Sequence, residues 1–170
     1  MADEIEVKLT VNGVLRTVRT HAFKTLLRML REDLDLTAAK EGCGQGDCGS
    51  CIVVMDGVAV NSCLVLAPQA EGSQVITLEG LANGDELHPL QRHFRENWAF
   101  QCGYCTPGML MSAYALLLKS SQPTVAEIKQ AIEGNLCRCT SYRTIIESIH
   151  AAAQELRSRR DLTKAASVND

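Results

Sequence analysis

The sequence predicts an α+β fold, a small sheet-and-helix domain followed by an all-helical one. Three observations carry this prediction. Alternating apolar runs flank Asn12-Gly13 and Asp56-Gly57 in the first half, the pattern of tight β-hairpins. Strand-like runs stop near Gly84, and capped apolar segments at helical spacing take their place. Eight cysteines fall into two groups of four, one in each half.

Residues 4–11, EIEVKLTV, alternate in the strand period, and VLRTVRT follows the Asn-Gly turn. Residues 24–32 place Leu26, Leu27, Met29 and Leu30 at helical spacing, so a helix should lie across this hairpin. A glycine-rich loop, EGCGQGDCGSC at 41–51, comes next. CIVVM and VAVNSC around Asp56-Gly57 form a second hairpin whose return strand ends at Cys63, and VITLEG at 75–80 reads as one more strand. The boundary falls in LANGDE, 81–86, dividing the chain into 1–82 and 83–158. In the second part, 88–100 reads as a helix, and Thr106-Pro107 reads as a cap and first helical residue. Thr124 and Glu127 form a capping box for a helix closed by Gly134. The last helix, 142–158, turns Ile145, Ile146, Ile149 and Ala152 or Ala153 to the core. Residues 159–170 read as a polar, frayed tail.

Composition excludes several classes. Hydrophobic residues make up 46% of the 170, enough for a core, but no apolar run nears the roughly 18 residues of a membrane span. MADEIEVKLT lacks the basic-then-apolar pattern of a secretory signal, so cytoplasmic residence is expected. A net charge of -3, with Arg157–Arg160 as the one basic block, argues against nucleic acid. That block reads as the solvated end of a helix. In a reducing compartment, clustered cysteines bind metal or do redox work more often than they form disulfides.

The first group is Cys43-x4-Cys48-x2-Cys51-x11-Cys63. This is the plant-type spacing for a 2Fe–2S cluster. Three thiolates on one short loop can wrap a flat diiron rhomb. Glycines at 42, 44, 46 and 49 let the chain approach the inorganic sulfurs, with N–H groups donating to them. A four-cysteine zinc site more often offers two separated pairs. The second group, Cys102-x2-Cys105-x31-Cys137-x-Cys139, does offer two pairs, and its spacing alone suits zinc or iron–sulfur. Cys105 precedes a helix N-terminus, where the dipole should favour a thiolate. Arg138 could offset cluster charge or form a surface ion pair. His21, His88, His93 and His150 lie outside both groups and read as surface or cap residues, which argues against a Rieske centre.

EGCGQGDCGSC with VAVNSC, FQCGYCTPGMLMSAYALL and GNLCRCTSYRTI together resemble the small iron–sulfur subunit of the molybdenum hydroxylases, the xanthine dehydrogenase family. The resemblance covers residues 4–155. It implies a β-grasp, plant-type ferredoxin-like domain, then a four-helix bundle carrying a second 2Fe–2S cluster. It implies that Gln101 contacts the molybdopterin cofactor and that Cys139 closely approaches it. It also implies partners, a large molybdopterin-binding subunit and a medium FAD-binding subunit, assembled as a dimer of heterotrimers. Electrons would run from molybdenum through both clusters to FAD. Ser141 departs from the usual glycine after CRCT, and Ser50 from a common alanine.

No nucleophile assembly, acid–base pair or dinucleotide-binding glycine motif is visible, so the chain itself should carry electrons and make no bonds. The expected function is electron transfer within a molybdenum-containing oxidoreductase acting on an aldehyde, a purine, an N-heteroaromatic ring or carbon monoxide, or reducing an aromatic thioester. The alternatives are a freestanding two-cluster ferredoxin-type shuttle and an iron–sulfur sensor. A shuttle usually has a strongly acidic docking face, and a sensor a DNA-reading module. Met109, Leu110 and Met111 read as core filler, and Trp98 and Phe100 as residues buried in the helical half.

Overall fold

The computed structural model describes residues 4–166, with side chains through Ser158. Strands β1 (Glu4–Val11) and β2 (Val14–His21) pair antiparallel in register Val11 with Val14. Asn12 and Gly13 both take positive φ, 51° and 79°, the geometry that matches the twist of a two-residue hairpin. Helix α1 (Leu26–Arg28) starts where the Thr25 hydroxyl accepts the Arg28 N–H, and it continues as a wider π turn, Met29–Asp33. The sequence suggested an ordinary helix over 24–32. Leu26, Leu27, Met29 and Leu30 are nonetheless all buried against Val7, Leu9, Val11 and Val18 of the hairpin.

Strands β3 (Ile52–Met55) and β4 (Val58–Asn61) form the second hairpin around Asp56-Gly57, and β5 (Gln74–Ile76) completes the sheet. The strand order is β2-β1-β5-β3-β4, with β5 parallel to β1 and antiparallel to β3. Two expected boundaries move. The run at 75–80 is only half strand, because Leu78–Gly80 turns as a 3-10 helix. The return strand stops at Asn61, so Cys63 sits in the turn beyond it.

Strand β3 is buried on both faces, and its alternation shows how the halves join. Val53 points into the core under α1, while Ile52 and Val54 point the other way, onto Met111 and Ala115. Those two belong to α3 (Thr106–Lys119), which follows α2 (Pro89–Glu96) and precedes α4 (Val125–Ala131) and α5 (Tyr142–Ala166). The four helices share a second core: Leu90 and Phe94, Met109 and Leu110, Ile128, and Ile145 and Ile149. Met109 and Leu110 are core residues as expected, whereas Met111 fills the seam between sheet and helices. Burying such a side chain stabilises by about 1.5–3 kcal/mol.

Helix α2 ends at Glu96 instead of near 100. Ala99 N–H donates to Phe94 O and Trp98 N–H to Arg95 O, with Trp98 at φ 55°. This is a Schellman stop with tryptophan where glycine usually sits. It leaves Trp98 79% exposed, so the expected burial of Trp98 does not occur; Phe100 is half-buried. Thr106 is the first residue of α3 and not its cap; Cys105 holds the cap position. The capping box of Thr124 and Glu127 forms, but α4 gives way at Ile132, before Gly134. The Ser141 hydroxyl accepts the Arg143 N–H at 3.2 Å and so caps α5 with a side-chain acceptor that glycine lacks. Helix α5 runs past 158 to Ala166; the side chains of the expected tail, 159–170, lie outside the described residues. No helix among the described residues is long and apolar enough to cross a membrane.

The halves meet most tightly at two glycines. A Cβ on Gly108 of α3 would lie 2.0 Å from the Gly49 carbonyl oxygen, and one on Gly49 would lie 2.4 Å from the Gly134 oxygen. Backbone cannot yield as a side-chain tip can. Gly108→Ala should therefore lower stability by about 1–3 kcal/mol, the usual cost of overpacking, read as a fall in Tm. An unchanged Tm would mean that the seam is looser than this.

Candidate metal centres and their setting

The first cysteine loop hangs between α1 and β3. Cys43 and Cys48 are half-buried on it, and Cys51, at the start of β3, and Cys63, past β4, are buried. The loop is wound around one sulfur: the N–H groups of Gln45, Asp47 and Cys48 all point at Cys43 Sγ, at 3.5, 3.3 and 3.4 Å. These donors, Gln45 foremost, hold the Cys43 thiol down at about 7. Burial pushes Cys51 up to about 11, with Cys63 and Cys48 beside it. Asn61 closes the loop from β4, donating to Gly46 O at 3.0 Å. A Cβ on Gly42 would come within 2.7 Å of Cys48 Sγ, so the loop's inner wall has no room for one.

The second group is built from two chain turns, one between α2 and α3 and one between α4 and α5. Cys102 and Cys139 are exposed, with their sulfurs 3.6 Å apart, and Cys105 and Cys137 are half-buried. The Tyr104 N–H lowers the Cys102 thiol, while the Cys102 thiol raises that of Cys139. Burial, with Cys137 and Cys102 close by, pushes Cys105 up to about 12. That reverses the expectation drawn from its place at a helix N-terminus: without a cation, desolvation outweighs the dipole. The Thr140 N–H approaches Cys137 Sγ at 3.4 Å. Arg138 is exposed. Gln101 is exposed as well, and its side-chain amide donates to Cys139 O at 2.8 Å. His88 caps α2 through Nδ1, and His93 pairs with Glu155, so neither joins a thiol group.

All eight thiols are free. Within each group they stand as neighbouring pairs, Cys43 with Cys48 and Cys51 with Cys63, then Cys102 with Cys139 and Cys105 with Cys137. Among the described residues, no three Cys, His, Asp or Glu side chains gather closely enough to hold a single ion. Two adjacent pairs are what a diiron rhomb takes, one pair to each iron, and the N–H groups aimed at sulfur suit its negative charge. The Thr106 and Thr140 hydroxyls, next in sequence to Cys105 and Cys139, are buried without a partner. Buried hydroxyls are almost always bonded, and a cluster sulfide beside them would supply the missing acceptor. The residues therefore fit the group.

Sequence reasoning missed what joins the two groups. The Leu136 N–H donates to Cys48 O at 3.0 Å, the Asn135 amide donates to Gly49 O at 3.1 Å, and the Tyr104 hydroxyl donates to Glu41 O at 2.7 Å. The Tyr142 hydroxyl donates to Asn135 O at 2.6 Å and accepts the Cys137 N–H at 3.0 Å. Asn135 and Tyr142 flank the second cysteine pair in the sequence, but nothing local announces a partner some ninety residues away.

Fold and donor set thus define a protein with two 2Fe–2S-binding domains. The model of the 2Fe–2S iron–sulfur cluster binding domain matches residues 9–82, and that of the [2Fe–2S] binding domain matches 77–150. The chain is 49% identical over 148 residues to the nicotine 6-hydroxylase small subunit of Paenarthrobacter nicotinovorans, covering 87% of this chain and 89% of that one. It is 40% identical over 150 residues to the xanthine dehydrogenase iron–sulfur-binding subunit of Escherichia coli O157:H7, covering 87% and 94%. The crystal structure of quinoline 2-oxidoreductase from Pseudomonas putida 86 superposes with a TM-score of 0.88 at 43% identity, over 92% of this chain and 98% of that one. The chain belongs to the family of small iron–sulfur subunits of the molybdenum hydroxylases, a family of oxidoreductases.

The thiol environments set an order of reactivity in the metal-free chain. Cys43, held down near 7, becomes thiolate as pH rises through that value, while Cys51 and Cys105 stay protonated to about 11 and 12. At pH 7.5 iodoacetamide should label Cys43 ahead of Cys51 and Cys105, with its rate falling below pH 7. Mass mapping after brief labelling, with the fold checked by circular dichroism, reads this directly. Equal labelling of the three would contradict the N–H cradle.

Proposed function

We propose that this chain is the electron-transfer subunit of a heteromeric molybdenum-containing hydroxylase or dehydrogenase. It relays electrons from a molybdopterin-binding subunit, through two 2Fe–2S clusters, to an FAD-binding subunit. Residues 1–82 are read as the β-grasp, ferredoxin-like domain, with Cys43, Cys48, Cys51 and Cys63 holding one cluster. Residues 83–158 are read as a four-helix bundle, with Cys102, Cys105, Cys137 and Cys139 holding the other. Each cluster, when bound, supplies one-electron redox chemistry and nothing else.

The observation that carries this reading is the Leu136 N–H to Cys48 O bond of 3.0 Å. Cys48 belongs to the first thiol group, and Leu136 is bonded to Cys137 of the second. A single hydrogen bond therefore joins the two groups through backbone, which gives an electron a short route that leaves the chain only once. A two-domain protein with unrelated sites has no need of such a link. The surfaces beside the groups support two different neighbours. Gln101, Cys102 and Cys139 are exposed together, a thiol edge open to a molybdopterin partner. Next to the first group lies a cleft of about 500 Å³ lined by Phe23, Lys24, Arg28, Glu41 and Cys63. Phe23 is 73% exposed there, an apolar contact suited to a flavin subunit. The chain makes and breaks no substrate bonds in this scheme; it positions sulfur. The full assembly is read as a dimer of heterotrimers.

Reduced protein should contain about four irons per chain and give two distinct S = 1/2 signals. Cys105→Ser should abolish or alter one signal and leave the other, because the two thiol groups sit in separate halves. Isolation of the native complex under mild conditions should bring down flavin-containing and molybdopterin-containing chains. A lone monomer of normal iron content would overturn the subunit reading in favour of a free shuttle. Zinc, or one cluster only, would overturn the cofactor assignment itself.

A further inference from the structure

Between the two thiol groups stands one buried amide. Asn135 is 1% exposed, and each of its polar atoms is engaged. Its N–H donates to Ile132 O at 2.9 Å, closing the end of α4. Its carbonyl accepts the Tyr142 hydroxyl at 2.6 Å. Its Oδ1 accepts the Ser112 hydroxyl of α3 at 2.7 Å, and its Nδ2 donates to Gly49 O in the first cysteine loop at 3.1 Å. The very next N–H, that of Leu136, makes the bond to Cys48 O. Gly49 has φ 70° and no space for a side chain, because Asn135 lies 2.6 Å from where its Cβ would be.

We propose that Asn135 is a positioning residue for electron transfer: it clamps α3, α4 and the first cysteine loop so that the Leu136 N–H stays on the Cys48 carbonyl. This rests on the two-cluster reading above. The chemistry is specific to asparagine. One planar group must accept from Ser112 and donate to a backbone carbonyl at once. Aspartate accepts from Ser112 but faces the Gly49 oxygen with a second acceptor, which pushes the loop away. Alanine leaves the buried Ser112 hydroxyl and the Gly49 carbonyl without their partner. In either case Leu136 loses its anchor, and the Leu136 to Cys48 link between the two groups lengthens without any thiol being touched.

The test uses the full chain with its clusters in place. Iron content, the two electron paramagnetic resonance signals, the magnetic splitting between the reduced centres and the rate of inter-cluster transfer after flash reduction are compared in wild type, Asn135→Asp, Asn135→Ala and Ser112→Ala. Both Asn135 variants should keep both signals but lose splitting and slow the transfer, and Ser112→Ala should do so less. Unchanged splitting and rate in the Asn135 variants would overturn the proposal. So would loss of the second cluster in both of them while Ser112→Ala behaves as wild type, which would make Asn135 a structural support alone. Wild type lacking two clusters would instead sink the functional reading, whatever the variants did.

Discussion

The structure depends on a backbone-to-backbone approach between the first cysteine loop and the helical half. Gly108 lies so close to Gly49, and Gly49 to Gly134 and Asn135, that neither Gly108 nor Gly49 tolerates a Cβ, and the Asn135 amide and the Leu136 N–H bond across the same seam. Hydrogen bonds of this kind add only about 1 kcal/mol each to stability. Their larger effect is on geometry: they leave the loop one position relative to α3 and α4. Apolar burial on either side supplies the bulk of the attraction. Ile52 and Val54 meet Met111 and Ala115, a patch that strand alternation on β3 makes inevitable once Val53 points into the opposite core.

That seam explains why two modest domains would be joined in one chain. Each holds four free thiols, as two adjacent pairs, in a setting that would be costly without a cation cluster. Cys51 and Cys105 are held in burial that resists ionisation, and the Thr106 and Thr140 hydroxyls lack acceptors. These strains mark where a ligand belongs, since functional sites are where local rules are broken. The two edges differ: Cys102 and Cys139 are exposed at one, and a largely charged cleft lined by Lys24, Arg28 and Glu41 with the exposed Phe23 lies at the other.

Much of the fold was legible because it rests on local signals. β1 and the two hairpin turns follow from alternation around Asn-Gly and Asp-Gly, and the capping box at Thr124 from its spacing. The misses have identifiable physical causes, one local and two long-range. Helix α2 stops early because Trp98 adopts a left-handed conformation that no propensity favours, held by the Ala99 and Trp98 N–H bonds. The strand expected at 75–80 is cut short as the chain bends at Leu78–Gly80, where Asn12 packs against Gly80. The Cys105 thiol is pushed up first by burial and then by the Cys137 and Cys102 thiols beside it, and Cys137 is brought there only by the fold.

By itself the sequence determined the two groups of four cysteines, the glycines that let the first loop turn inward, and the division into a sheet half and a helical half. These are properties of spacing and short-range conformational preference, so they can be read along the chain. Only the tertiary structure decided that Leu136 meets Cys48 and that Asn135 bridges Ser112 and Gly49. Those contacts join residues far apart in sequence, and they exist because apolar β3 and α3 bury one another and bring the polar backbone between them to within a single hydrogen bond.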